Sequence, residues 1–272
     1  MPDTFTPHVS TPRRAPHRVA LDRTLRGLVL LAASVLLAGC SGWGEKEDIT
    51  KNWSAQRLYA AAKEQLDNGE YETAIDYYQK LESRYPFGPL AEQAQIEVAY
   101  AYYRYDEPAS AIAAADRFIK LHPQHPNVDY AYYIKGLTNF NRGRSLVDRF
   151  LPKDPSERDP GSALLSFRDF EELVSKFPDS KYAPDAAQRM LFLKDTLAKH
   201  EIHVAQYYMR RGALVAAVNR AKTVVESYQG TTAVPDALGL MVEVYEKLDM
   251  PALAADARRV LAMNYPDHPA AR

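Results

Sequence analysis

A recurring small residue followed by a proline constrains this chain more than any other feature. Ala74 and Ala111 lie 37 residues apart, and so do Ala217 and Ala254. Pro86, Pro123 and Pro266 each follow one of these alanines by 12 residues. A small side chain lets two helices cross closely, and a proline ends a helix and turns the chain. The pattern predicts units of two amphipathic helices joined by a short turn. In the clearest unit, a helix over 54–66 carries Leu58, Ala61, Ala62 and Gln65 at its packing positions. Asn68-Gly69 breaks it, because glycine accepts the positive φ of a helix C-terminus. Tyr71 opens a second helix that turns Ala74, Tyr78 and Leu81 inward, and Pro86 stops it.

Four more units follow. The second has Val98, Ala99 and Tyr102, then Pro108, Ala111, Ala115 and Phe118. The third opens with Gly136 at the close-approach position and is interrupted over 143–160. It resumes with Ala163, Ser166, Phe170 and Leu173 and closes at Pro178. The stretch 185–211 predicts one helix of about 27 residues, about 40 Å long. The fourth unit has Ala205, Tyr208, Gly212, Ala217 and Ala221 and lacks the closing proline; the fifth has Val242, Tyr245, Ala254, Leu261 and Pro266. No strand alternation longer than about four residues competes with this periodicity. The unit resembles the tetratricopeptide repeat, with its period of about 34 residues. That resemblance implies an all-α, right-handed superhelix of about five repeats. The organisation is then repeats one and two over 52–127, repeat three over 128–180 with its insertion at 143–160, and repeats four and five over 181–272.

In such a stack the first helix of each unit lines the inner wall. The positions there are Tyr59, Tyr100, Tyr103, Tyr130, Tyr133, Leu137 and Phe140. Aromatic side chains bury much area with few rotors, so this strip is a candidate groove for an extended or hairpin peptide. Tyr103 and Tyr133 are its leading members. No catalytic constellation stands out. His200 and His203 are i, i+3, not the i, i+4 pair of a zinc-protease helix, and read as solvated or packed. His122 and His125 read as surface residues. The charged segment 153–159 reads as a solvated loop stiffened by Pro152, Pro155 and Pro160. No metal or cofactor is called for.

Composition narrows the classes further. A net charge of −1 argues against binding nucleic acid through bulk positive charge. A hydrophobic fraction of 46% excludes a disordered chain. One cysteine excludes an internal disulfide and any cysteine-only zinc or iron–sulfur site. The near-neutral total conceals a different regime in the first forty residues. Arg13, Arg14, Arg18, Arg23 and Arg26 face only Asp3 and Asp22, and an apolar run follows from Gly27 to Ala38. Twelve helical residues span about 18 Å, too short for a hydrocarbon core of about 30 Å. This is the pattern of a secretory signal peptide over 1–39. The run ends Leu37-Ala38-Gly39-Cys40, which resembles a bacterial lipobox. That resemblance implies cleavage before Cys40, lipidation of Cys40 and a tether over 40–51. Ser41, in place of aspartate, implies sorting to the outer membrane. The remaining 233 residues carry 29 basic and 33 acidic side chains, a net charge of −4.

Several segments are similar to one family well beyond the repeat pattern. They are Arg84-Tyr85-Pro86-Phe87-Gly88-Pro89, Ala101-Tyr102-Tyr103-Arg104 and Asp116-Arg117-Phe118-Ile119-Lys120-Leu121-His122-Pro123. Others are His125-Pro126-Asn127-Val128-Asp129-Tyr130, Gly136-Leu137-Thr138-Asn139, Arg158-Asp159-Pro160, Phe192-Leu193-Lys194-Asp195 and Tyr207-Tyr208-Met209-Arg210-Arg211-Gly212. With the lipobox, they resemble the BamD family of lipoproteins of the outer-membrane β-barrel assembly machine, over about Trp53 to Pro266. The resemblance implies a non-enzymatic scaffold, lipid-anchored on the periplasmic face of the outer membrane. Its partners would be the periplasmic domain of the barrel subunit BamA, accessory Bam lipoproteins, and unfolded outer-membrane proteins through a C-terminal β-signal. It places client recognition in the N-terminal repeats, with Tyr85 involved, and docking of the barrel subunit in the C-terminal repeats. Candidate docking residues are Arg189, Lys194, Asp195, Thr196, Lys199, Arg210 and Arg211. Family members commonly carry arginine where this chain has Thr196, and Arg189 or Lys199 would have to substitute. The alternatives are a periplasmic repeat lipoprotein that scaffolds peptidoglycan or division enzymes, and a helical-superhelix hydrolase of the cell wall. The repeats leave no residues for the compact catalytic domain that a hydrolase needs.

Overall fold

A computed structural model describes residues 48–142 and 154–271. The stretch expected to be a signal peptide, Cys40 with its expected lipidation, and residues 143–153 of the insertion lie outside the described residues. The chain divides into two compact units, Met1–Asn52 and Trp53–Arg272. In the first, the described residues 48–52 form a turn in which Thr50 donates from its backbone and hydroxyl to Asp48 Oδ1.

The second unit is an all-α stack of tetratricopeptide type. Its helices are α1 (Ala55–Asn68), α2 (Tyr71–Arg84), α3 (Pro89–Arg104), α4 (Pro108–Leu121), α5 (Val128–Asn141), α6 (Gly161–Lys176), α7 (Ala183–Arg210), α8 (Leu214–Ser227), α9 (Val234–Lys247) and α10 (Pro251–Asn264). They pair as α1α2, α3α4, α5α6, α7α8 and α9α10. Each helix packs on its neighbours in sequence, and α1 on α3, α3 on α5 and α7 on α9 link first helices of successive units. Contacts of this range define a solenoid, in which each unit is held by its neighbours.

Local chemistry sets the helix ends. Ser54 caps α1 by accepting from Arg57 N at 3.3 Å. Gly69 closes α1 in the left-handed region at φ 84°, and the next amide, Glu70 N, bonds to Gln65 O. The same closure recurs at Asp106 (φ 61°), Gly212 (φ 72°) and Asp249 (φ 57°), where Glu107, Ala213 and Met250 donate to Tyr102, Tyr208 and Tyr245. The second helices stop earlier than their prolines. Tyr85, His122, Phe177 and Tyr265 each precede a proline and leave the helical region at φ between −140° and −130°. Proline Cδ clashes with a helical preceding residue, so the residue before it is the one that breaks. Tyr228 makes the same exit at φ −118°, although no proline follows it.

The small residues sit where the repeat pattern requires them. Ala62 and Ala74, Ala99 and Ala111, and Ala205 and Ala217 are fully buried. In the third unit Gly136 and Ser166 hold the crossing, and Ser166 Oγ donates to Gly136 O at 2.9 Å. Among the described residues, three apolar clusters run along the stack. The first joins α1 to α3 around Leu58, Tyr78 and Leu81. The middle one spans α3 to α7 around Phe118, Ile134, Phe170 and Leu173. The last joins α7 to α10 around Ala217, Val224, Val244 and Leu261. Each fully buried Phe or Leu contributes about 1.5–3 kcal/mol. The long helix α7 has 28 residues and belongs to both the middle and the last cluster, so it ties the two together.

Two sequence expectations are corrected. His122 and His125 are not open surface residues: both are half-buried, with their rings 5.2 Å from the Phe118 ring. His122 Nε2 lies 2.8 Å from Gln95 Oε1, which links α4 to α3. The segment 153–159 is not simply a solvated loop either. Ser156 is 1% exposed and docks on α7. His200 Nδ1 lies 2.8 Å from Ser156 O, and His203 Nε2 lies 2.9 Å from Ser156 Oγ. The i, i+3 spacing of these histidines aims both rings at one residue.

Candidate peptide-binding face

Helical spacing brings the strip together. Tyr100 and Tyr103 share a face of α3, and Tyr130, Tyr133, Leu137 and Phe140 share a face of α5, because residues three, four and seven apart align on a helix. Between the helices the rings form a ladder. Tyr103 lies 6.2 Å from Tyr100, and Tyr100 lies 6.4 Å from Tyr130. Tyr182 then stacks on both Tyr130 at 5.2 Å and Tyr133 at 4.7 Å. Phe170 joins Tyr133 to Phe140, and Phe140 meets Phe192 at 5.8 Å. Tyr182, Phe170 and Phe192 complete the ladder and did not appear among the sequence candidates. Tyr182 caps the start of α7 and stacks back on the preceding unit. The Tyr182-Ala183-Pro184 run at a helix start was the available signal.

An arginine marks each end. Arg104 donates to Tyr100 Oη at 2.8 Å and lies 4.9 Å over the Tyr71 ring. Arg189 lies 4.8 Å over Phe140 and donates from Nε to Asp185 Oδ2 at 2.6 Å. Asp185 also accepts from Tyr133 Oη at 2.7 Å. The bond from Arg189, with that from Tyr133, holds the Asp185 carboxyl below its ordinary range. Burial, and then donation to Asp185, push the Tyr133 phenol up to about 12. Burial likewise pushes the Tyr130 phenol up. These rings are half-buried, so each contributes both packing and an accessible edge.

The other tyrosines stand elsewhere. Tyr59 meets Tyr78 at 6.0 Å within the first unit. Tyr85 ends α2, is 39% exposed and donates to Trp53 O at 2.9 Å, which ties the start of α1 to the end of α2. Beside it Phe87 is 90% exposed.

The polar candidates on α7 serve the fold to different degrees. Lys194 donates to Gln229 O at 2.9 Å. Asp195 Oδ1 accepts from Thr232 N at 2.8 Å and Thr232 Oγ1 at 2.7 Å, while Oδ2 pairs with Lys199 at 2.8 Å. These two side chains therefore hold the α8–α9 connection on α7. Burial raises the Asp195 pKa, but the bonds from Lys199 and Thr232 outweigh it and the net shift is downward. Thr196 turns its hydroxyl back to Phe192 O at 2.9 Å. Arg211 lies 5.3 Å over the Tyr207 ring, and Arg210 is exposed at the end of α7. No helix among the described residues is long and apolar enough to cross a membrane.

Relatives match this chain over most of its length. The family model described as an outer membrane lipoprotein, YfiO, matches residues 51–261. The outer membrane protein assembly factor BamD of Neisseria meningitidis serogroup B is 45% identical over 245 residues, 89% of this chain and 92% of that one. The BamD of Neisseria gonorrhoeae is 46% identical over the same share of each chain. The BamD of Vibrio cholerae is 35% identical over 89% of this chain and 98% of its own. The matched region contains the whole aromatic ladder, the tyrosine at the end of α2 and the long helix α7. Identity of this extent across the stack shows that the chain belongs to the BamD family of outer membrane lipoproteins.

Proposed function

We propose that this chain is a non-enzymatic subunit of the outer-membrane β-barrel assembly machinery. It would be lipid-anchored through Cys40 and face the periplasm. It binds the periplasmic domain of the barrel subunit BamA, meets accessory Bam lipoproteins, and helps to recognise and insert unfolded outer-membrane proteins. The observation that carries this reading is the 45% identity to a BamD over nearly the whole stack. The aromatic ladder supports a role in client recognition. It runs from Tyr103 on α3 to Phe192 on α7, a row of half-buried rings joined between Tyr133 and Phe140 by the fully buried Phe170 and ending on the exposed Phe192, with an arginine near each end. A row of this kind suits an extended peptide with aromatic side chains.

The mechanism is scaffolding. A stiff stack that holds client segment and barrel subunit together raises their effective concentration without covalent chemistry. Docking of the barrel subunit falls to the C-terminal units, where Arg210, Arg211 and Lys199 remain outward while Lys194 and Asp195 hold the α8–α9 turn. Purification of the full lipidated chain in mild detergent tests the reading: BamA should copurify stoichiometrically, and its absence overturns the assignment. Depletion of the chain should lower porins generally. For the ladder, Tyr103→Ala with Tyr133→Ala should weaken crosslinking to a client peptide while helicity is kept; unchanged crosslinking removes the ladder from the client site.

A further inference from the structure

One carboxylate on the inner wall has no counter-charge. Gln93, Glu97, Tyr100 and Arg104 are spaced four, three and four along α3, so they share the face that carries the ladder. Of the half-buried glutamates among the described residues, Glu82, Glu172 and Glu201 pair with Arg117, Lys176 and Arg220, and Glu92 lies 3.8 Å from His125. Glu97 meets only a neutral donor: Gln93 Nε2 reaches its Oε1 at 3.1 Å. The cations around it are committed elsewhere. Lys63 on α1 feels the Glu97 charge but pairs with Asp67 at 2.8 Å. Arg104 is held by Tyr100 Oη and the Tyr71 ring.

The second oxygen of Glu97 is accessible. Among the described residues, the buried polar side-chain atoms without a partner are on Tyr78, Asn139 and Arg258, and Glu97 Oε2 is not one of them. Tyrosines from three other helices gather about this carboxylate. Burial, and then the Glu97 charge, push up the phenols of Tyr59 on α1, Tyr78 on α2 and Tyr130 on α5. Tyr100, one turn along α3 from Glu97, lies 6.4 Å from Tyr130. Tyr78 is fully buried, but Tyr59, Tyr100 and Tyr130 are half-buried and present accessible edges or faces. A partly desolvated carboxylate favours a positive partner, and aromatic rings attract the same charge through their quadrupoles.

We propose that Glu97, with Tyr59, Tyr100 and Tyr130, forms a subsite for a cationic side chain, lysine or arginine, of a peptide lying on the inner wall. The cation meets Glu97 Oε2, while an aromatic neighbour two residues away on the same face of the extended peptide rests on the ladder beyond Tyr100. The proposal rests on the peptide-binding reading of the ladder and adds a charge preference beside the aromatic one.

The test uses the full mature chain and three fluorescein-labelled nine-residue peptides of alternating threonine and valine. Each has Tyr at its fourth position, and they differ only at the sixth, which is Lys, Gln or Glu. Fluorescence anisotropy should show the Lys peptide binding roughly tenfold more tightly than the Gln peptide, with the Glu peptide weakest. Glu97→Gln should bring the Lys and Gln peptides to equal affinity, and Glu97→Lys should make the Glu peptide the tightest. If these variants do not fold, carbodiimide coupling on the unmodified chain should join the peptide lysine to Glu97, as mapped by mass spectrometry. Equal binding of all three peptides to the unmodified chain overturns the subsite and leaves the ladder standing. A lysine preference that survives Glu97→Gln, or coupling only to other carboxylates, also overturns it. Binding by none of the peptides overturns the ladder reading along with it.

Discussion

Gly136 and Phe170 exclude each other's growth: a Cβ at residue 136 would lie 2.3 Å from Phe170 Cε1 and 2.4 Å from Cδ1. Phe170 is fully buried and also contacts Tyr133 and Phe140, so its ring has no room to retreat. Gly136→Ala should destabilise the stack by about 1–3 kcal/mol, the range for overpacking a core. Phe170→Leu in the same chain should recover part of that loss, seen as a coupling term in a double-mutant cycle of urea unfolding. Simple addition of the two losses would mean that the contact is not the cause.

Tyr78 offers the opposite case. It is fully buried, and its hydroxyl has no partner among the described residues. Burial pushes its phenol well above the usual range. Removing an unpaired buried hydroxyl removes a desolvation cost, so Tyr78→Phe should be neutral or stabilising by up to about 1 kcal/mol. A loss of more than about 1 kcal/mol in thermal or urea unfolding would show that the hydroxyl is satisfied.

The turns at Asp106 and Asp249 should be improvable. Both hold positive φ where the first and fourth units use Gly69 and Gly212. A side chain costs about 1–2 kcal/mol in the left-handed region, partly offset by the greater freedom of glycine in the unfolded chain. Asp106→Gly and Asp249→Gly should each raise the unfolding free energy by about 0.5 kcal/mol, additively because the sites are far apart. Denaturant midpoints for the two single variants and the double variant check this.

Asp195 should make the α8–α9 connection acid-sensitive. Its carboxyl is held below the ordinary value in the folded chain, so the unfolded state binds its proton more readily. The contribution is then complete above the unfolded value of about 3.9 and is lost as pH falls through the lower folded value. Asp195→Asn should therefore lower stability at pH 7 more than at pH 3. Amide exchange at Thr232, whose N–H donates to Asp195, should quicken in the variant at pH 7. Equal losses at both pH values would contradict the role given to the charge.

His200 and His203 should control the docked end of the insertion. Both meet Ser156, and Asp154 Oδ1 accepts from Ser156 Oγ at 2.7 Å. His203→Phe should raise amide exchange across 154–160 while the helices on either side keep their protection. Unchanged exchange in that segment would show that the His203 contact does not hold it.

Much of the stack can be read from local signals. Ala62, Ala74, Ala99, Ala111, Ala205 and Ala217 announce close crossings because only small residues fit there. Gly69 and Gly212 announce turns because they accept positive φ cheaply, and Pro86, Pro123, Pro178 and Pro266 announce stops because they exclude a helical neighbour. Asp106 and Asp249 are harder to recognise, since aspartate in the left-handed region looks like any polar surface residue. The strip of Tyr100, Tyr103, Tyr130, Tyr133 and Phe140 was legible because helical spacing alone aligns it. Tyr182 was not, because its place in the strip depends on how α7 returns against α5.

The chain's periodicity, its turn residues and its Cys40 segment are carried in the order of residues, because each acts over a few positions along the backbone. What only the folded stack decides is which distant side chains meet. Tyr133 reaches Asp185 across 52 positions, His203 reaches Ser156 across 47, and Asp195 reaches Thr232 across 37. Those meetings, with Lys194 on Gln229 O and His200 on Ser156 O, turn two docking candidates into supports for a turn and a pair of histidines into a clasp. They depend on the rotation from one unit to the next, which arises from packing between helices and leaves no period in the sequence to read.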